Sequence, residues 1–152
     1  MTLQALRATT IHLDALAKLF DAYRGFYGQP SNLEQSRAFI AERMAGNESA
    51  IFLVEDESGE VLGFVQLYPT FSSIDAHRTW LLSDLFTTPA ARGRGVGRLL
   101  MNTARDFGVE TGAKGLMLET ATDNFTAQGL YESLGWVRDT GYYTYLLDLR
   151  QG

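Results

Sequence analysis

The run from Asp84 to Leu100, DLFTTPAARGRGVGRLL, constrains the fold of this chain more than any other stretch. Its first residues have the composition of a strand, and Pro89 stops that strand. Arg92, Gly93, Arg94, Gly95, Gly97 and Arg98 follow as a glycine-rich turn carrying three cations. Val96, Leu99, Leu100, Thr103 and Phe107 then recur on one side of an amphipathic helix. A strand, a glycine loop and a helix in that order aim backbone N–H groups at one point, where the helix dipole adds partial positive charge. The expected guest is a phosphate-bearing cofactor. Spacing narrows the choice. A dinucleotide loop needs a third glycine where Arg98 stands, and a nucleotide-hydrolase phosphate loop needs a lysine that does not follow these glycines. A glycine turn that merely caps a helix is the plainer alternative; the flanking strand, helix and arginines favour the cofactor.

The remaining composition bounds the class of molecule. With 152 residues, 45% of them hydrophobic and 20% charged, the chain is expected to fold as a single domain over residues 1–152 around a sizeable core. The amino terminus has no basic stretch leading into an apolar run, and no segment approaches the ~20 apolar residues of a membrane span. The expectation is therefore a cytoplasmic protein without a membrane partner. A net charge of −5 argues against a nucleic-acid partner and slightly favours a cationic one. The chain has no cysteine, which removes disulfides, thiolate metal sites and a thiol nucleophile together. His12 and His77 are not at metal-ligand spacing, so no metal is expected.

Periodicity and punctuation give the order of elements. Residues 3–8 read as a strand, and Thr10 as the cap of a helix from Ile11 toward Tyr27. Ser31 and Glu34 are spaced as a capping box opening a second helix that ends near Gly46. Strands at 50–55 and 61–68 flank the tight turn Asp56-Glu57-Ser58-Gly59, and a loop at 69–79 leads to a strand at 80–87. After the glycine-loop helix come a buried strand at 116–121, a helix at 124–134 ending at Gly135, and a last hairpin from 136–139 and 142–149.

A second constellation, Asn124-x-x-Ala127-Gln128-x-x-Tyr131-x-x-x-Gly135-Trp136, sits on the late helix, where steps of four and seven keep Asn124, Gln128 and Tyr131 on one face. Together with Arg92-x-x-Gly95-x-Gly97 it resembles the GNAT superfamily of N-acetyltransferases, and the element order resembles that fold along essentially the whole chain. The resemblance implies an α/β (α+β) fold with a mixed, mostly antiparallel sheet of six to seven strands flanked by about four helices, in the order β-α-α-β-β-β-α-β-α-β-β. It implies acetyl-CoA as donor, held by Arg92, Gly93, Arg94, Gly95, Val96, Gly97 and Arg98, by the main chain of Leu85, Phe86 and Thr87, and by Asn124 and Gln128. It assigns Tyr131 to the sulfur as general acid. The details of Phe26-Tyr27, Gln66-Leu67-Tyr68 and Leu134-Gly135-Trp136 resemble the branch related to yeast histone and polyamine acetyltransferases, which implies a basic amine acceptor and a homodimer.

Without a thiol to carry the acyl group, direct transfer within a ternary complex is the simplest route. A Lys-like amine of pKa ~10.4 costs about 4.6 kcal/mol to deprotonate at neutral pH, whereas a thiol of pKa ~8.5 leaves as thiolate for about 2 kcal/mol. The base therefore matters more than the acid. Asp84 and Glu119 are the candidates, and Asp84 is preferred because family members often carry an acid there. Tyr23, Phe26, Tyr27, Gln66, Tyr68 and Phe71, with Ser72 and Asp75, are available to line the small-molecule or peptide amine site; aromatic faces suit a cation. A non-catalytic module that senses CoA or acyl-CoA is the alternative function.

Overall fold

The computed structural model describes residues 2–150. They divide into two compact units, one ending at Glu119 and one beginning at Thr120. The first contains β1 (Gln4–Arg7), α1 (Leu13–Phe26), α2 (Leu33–Ala45), β2 (Ala50–Glu55), β3 (Val61–Ser72), β4 (His77–Thr87), α3 (Val96–Glu110) and β5 (Gly115–Met117). The second contains α4 (Phe125–Ser133).

The sheet of the first unit has the order β1-β2-β3-β4-β5, antiparallel except for β4 with β5. Its two faces are both buried, which is why β2 and the first half of β3 are near-continuous apolar runs rather than alternating ones. On one face Ile51, Leu53, Phe64 and Phe86 pack with Leu16, Phe20 and Ile40 of α1 and α2. On the other, α3 buries Val96, Leu100, Met101 and Ala104. Each fully buried aliphatic side chain contributes about 1.5–3 kcal/mol, so this double packing is the main source of stability. Gly63 allows α3 to come this close: a Cβ there would lie 2.7 Å from the Phe86 carbonyl oxygen and 2.9 Å from Val96 Cγ1.

Several expectations need correction. The described residues form five strands, not six or seven, and the order ends at α4 without the last hairpin. The turn at Gly141 does form, with its N–H donating to Asp139 Oδ1 at 2.8 Å, but no strands flank it. A lone hairpin is marginal in water, and α4 has no buried residue that could serve as a core for one. The strand expected at 116–121 pairs only at Gly115–Met117, and the loop expected at 69–79 is mostly strand, because β3 and β4 continue as a ladder to Ser72 and His77. The cap of α2 is Asn32, whose side chain accepts from the Gln35 N–H at 3.1 Å; Ser31 donates instead to Asp21 at 2.6 Å. A single 3-10 turn, Thr10–His12, precedes α1 and takes the place of its expected first turn.

Candidate active site

The loop after β4 has the conformation its glycines permit. Gly93 and Gly95 are left-handed, at φ 82° and 81°, a region that side chains with a Cβ avoid. Gly95 is the N-cap of α3 and offers no side chain to the first-turn N–H groups, the arrangement in which a helix N-terminus suits an anion. Gly97, by contrast, is already inside the helix. Among the described residues Arg92 is held in place without a carboxylate: its Nε donates to the Thr87 carbonyl at 3.4 Å, and its guanidinium lies 6.0 Å from the rings of Phe26 and Phe86. Leu85, Phe86 and Thr87 pair with Val65, Phe64 and Gly63 on one edge of β4, while β5 accompanies the other edge only from Thr79 to Leu81. Among the described residues, that edge of β4 therefore carries no strand beside Leu85–Thr87, which suits a ligand arm that hydrogen-bonds as a peptide strand would. These features fit an elongated, phosphate-bearing ligand with an amide-like arm.

Next to this edge the β3–β4 register slips by one residue, so that Gln66 faces Asp84 while Leu67 faces Leu82, and Ser83 is the extra residue. The slip lets Asp84 face α1 with Phe86 while Trp80 faces α3. Gln66 is fully buried and Asp84 is 8% exposed. Ser49 Oγ donates to Gln66 Oε1 at 2.8 Å, which orients the amide so that its Nε2 donates to Asp84 Oδ2 at 2.7 Å. Ser83 Oγ contacts the other carboxylate oxygen, Oδ1, at 3.4 Å, and the Tyr23 hydroxyl is shared between the carboxylate and the Ser83 carbonyl, 3.3 Å away. Burial pushes the Asp84 carboxyl above the ordinary aspartate range, opposed by these neutral donors. Tyr68, on the same face, is pushed up to about 12 by burial and by the Asp84 charge, so it stays a protonated donor at neutral pH.

The structure thus brings Tyr23, Gln66, Tyr68 and Asp84 together, with Tyr27 stacked edge-on to Tyr23 at 5.1 Å and Phe26 edge-on to Tyr27 at 5.3 Å. Phe71 is not among them: it lies under Arg78, and both belong to the α3 face. Ser72 and Asp75 bond to each other at the hairpin tip. Glu119 lies beyond β5 and is exposed, without the burial that distinguishes Asp84. Ser49 and Ser83 were not anticipated, because a serine that orients an amide and a serine that makes a bulge have no local signature in the sequence. In the second unit Asn124 caps α4, its Oδ1 accepting from the Ala127 N–H at 3.2 Å. Gln128 Nε2 donates to the carbonyls of Ala121 and Thr122 at 3.0 and 3.1 Å, so both residues first serve to shape their own loop. Tyr131 and Trp136 approach with ring centroids 6.2 Å apart.

Residues 16–136 match the Acetyltransferase (GNAT) family. The chain is 44% identical over 143 residues to the uncharacterized N-acetyltransferase YhfO of Bacillus subtilis, covering 94% of this chain and 95% of that protein. It is 35% identical to a probable acetyltransferase of Haemophilus influenzae, over 82% of this chain and 85% of that one. Among solved structures, a probable acetyltransferase superposes with a TM-score of 0.92 at 40% identity, over 98% of this chain and 99% of that chain. An aminoglycoside N-acetyltransferase in complex with CoA shares the fold with a TM-score of 0.79 at 20% identity, over 96% of this chain and 95% of that one.

Proposed function

Because the chain belongs to the GNAT acetyltransferase family and takes its acetyl group from acetyl-CoA, we propose that it acetylates a cationic primary amine, with Asp84 as the base. One observation carries this reading: a carboxylate sits buried on the aromatic α1 face, with its hydrogen bonds coming from neutral donors alone. A cationic amine is attracted by the charge of Asp84 and by the faces of Tyr23, Tyr27 and Phe26. It meets no competing arginine or lysine bonded to that carboxylate. A carboxyl raised by burial is also a stronger base than a solvated one, which narrows the gap to an amine that costs about 4.6 kcal/mol to deprotonate at neutral pH.

Acetyl-CoA supplies an activated thioester. Arg92, Arg94 and Arg98, with the first-turn N–H groups of α3, hold its phosphates, and the main chain of Leu85–Thr87 orients its arm. Asp84 takes the ammonium proton on its carboxylate, whose Oδ2 is held in place by Gln66 at 2.7 Å. Tyr131 carries the hydroxyl proton of the general acid, an assignment that rests on its place in the Asn124–Trp136 motif. Both units then serve one acetyltransferase domain, which the span of the family match across residues 16–136 supports.

Within that class a polyamine, a lysine side chain or another small amine fits, as in the branch related to yeast histone and polyamine acetyltransferases. A cytoplasmic homodimer is part of the same reading, supported by the exposed Tyr142, Tyr143, Tyr145 and Leu147 near the carboxy terminus. The deciding experiment is a panel of amines and amine-free alcohols assayed for free thiol release from acetyl-CoA. Turnover with primary amines, lost in Asp84→Asn across the pH range, is expected; binding of acetyl-CoA with no turnover on any amine would replace this reading with a sensing module.

A further inference from the structure

A cavity lies in the first unit, on the α3 side of the sheet, and the acetyl-transfer reading does not use it. It measures about 480 Å³, within the range of small-molecule pockets. β3 and β4 run on past the start of β2, which pairs no further than Leu67, and the overhang forms one wall. The last turn of α3 and the loop before β2 close the others, through Phe107 and Thr111 and through Asn47 and Ser49. Trp80 is almost fully buried at its base, fixed by its indole N–H donating to Thr111 Oγ1 at 2.9 Å and by the Phe107 ring 4.9 Å away.

Arg7 and Arg78 both line this cavity. Each is held by aromatic rings: Arg7 lies 5.4 Å from Phe52 and 5.2 Å from Phe107, and Arg78 lies 4.9 Å from Phe71 and 5.3 Å from Trp80. Neither forms an ion pair among the described residues, in a chain with 18 acidic side chains against 13 basic ones. Arg37, Arg43, Arg105 and Arg150 all have a carboxylate. The hairpin carboxylate of Asp75 is taken by Lys114 and Ser72. The arrangement repeats that of Arg92 in the cofactor loop, a guanidinium steadied by aromatic rings and without an anion among the described residues.

Stacking occupies the flat face of a guanidinium and leaves its N–H groups, which lie in its plane, free to grip a carboxylate two at a time. The C-terminal end of α3 opposes an anion with about half a unit of negative charge, and two full cations outweigh it. Thr111 Oγ1 also donates to the Phe107 carbonyl at 2.9 Å, which reduces that opposition. The same two cations repel an ammonium ion, so the cavity does not suit the amine acceptor. Its aromatic walls favour a flat apolar body over a fully hydrated ion. We propose that this cavity binds a small carboxylate carried on a flat apolar body, clamped between Arg7 and Arg78. The proposal does not depend on which amine is acetylated.

Benzoate is the probe, titrated into the full chain saturated with acetyl-CoA and followed by calorimetry and by ligand-detected NMR. Benzamide supplies the ring without the charge, and inorganic phosphate the charge without the ring. Saturable benzoate binding is expected, with benzamide and phosphate each at least tenfold weaker. Arg7→Gln and Arg78→Gln are each expected to weaken benzoate at least tenfold while acetyl-CoA still binds with unchanged affinity. The proposal is overturned if benzoate does not saturate, if benzamide or phosphate binds as well as benzoate, or if both substitutions leave its affinity unchanged. The three-probe comparison on the unmodified chain decides even if a substituted chain fails to fold.

Discussion

Replacing Gln66 by Met tests whether Asp84 is a base whose readiness is set by its neighbour. Met keeps the volume of the fully buried side chain and deletes the amide that donates to Asp84 Oδ2 at 2.7 Å. A hydrogen bond to a charged acceptor is worth about 1.5–3 kcal/mol, and it favours the ionised carboxylate over the neutral acid. Its loss adds to the effect of burial, which already raises the Asp84 carboxyl, so the acid limb of the kcat/KM profile moves to higher pH. On that limb the rate follows the ionised fraction, and 1.5–3 kcal/mol corresponds to a loss of roughly tenfold to a hundredfold. On the high-pH plateau Asp84 is ionised in either protein, so the rates there converge. Ser49→Ala, which frees the amide to turn, is expected to move the limb in the same direction by less. The assay is thiol release across pH with a fixed amine. A uniform drop with the limb unmoved would refute the argument, because a packing defect lowers the rate without regard to the protonation of Asp84.

Asp84→Asn keeps an oxygen for the Gln66 amide and removes a buried charge. The folded carboxyl sits above its unfolded value, so the stability that Asp84 confers is complete below the ordinary aspartate range and falls as pH rises through the folded value. The variant is therefore expected to melt higher than the natural chain at pH 7, with the difference vanishing at low pH by calorimetry. Gly63→Ala places a Cβ 2.7 Å from the Phe86 carbonyl and should cost about 1–3 kcal/mol, seen as a melting point lower by several degrees together with weaker acetyl-CoA binding. Arg92→Gln removes an exposed cation from the loop. Solvent screening limits the loss to about 1 kcal/mol, a roughly fivefold weaker acetyl-CoA affinity, and the difference should shrink with added salt. Tyr131→Phe should lower kcat by at most about 30-fold, the equivalent of the ~2 kcal/mol needed to expel a thiolate of ordinary pKa, with acetyl-CoA affinity unchanged.

The glycine loop was legible in the sequence because its chemistry is local. Left-handed φ at Gly93 and Gly95, the stop at Pro89 and the helix that follows depend on neighbours within a few residues, and spacing alone separates this loop from other phosphate cradles. The order of elements through α4 was legible for the same reason, since periodicity and turn residues act over one element at a time. Asp84 could be singled out but not understood. Its burial, the oriented Gln66 amide and the Ser49 hydroxyl behind it come from β4, β3 and the residue just before β2, distant in sequence and brought together by the sheet, and a one-residue slip beside Ser83 decides which face Asp84 occupies. The pleat of β3 separates Phe71 from Gln66, five residues away on the same strand, and so from Tyr23, which the sequence placed in one pocket. The aromatic-held arginines at 7 and 78 are far apart in the chain and line one cavity only because the sheet folds. The sequence by itself marked the phosphate cradle, because that is built from consecutive backbone, and the resemblance of its motifs to the GNAT family pointed to acetyl-CoA as the donor. Only the tertiary structure decided which carboxylate is buried and which arginines lack one, because burial and pairing are set by residues far apart in the chain.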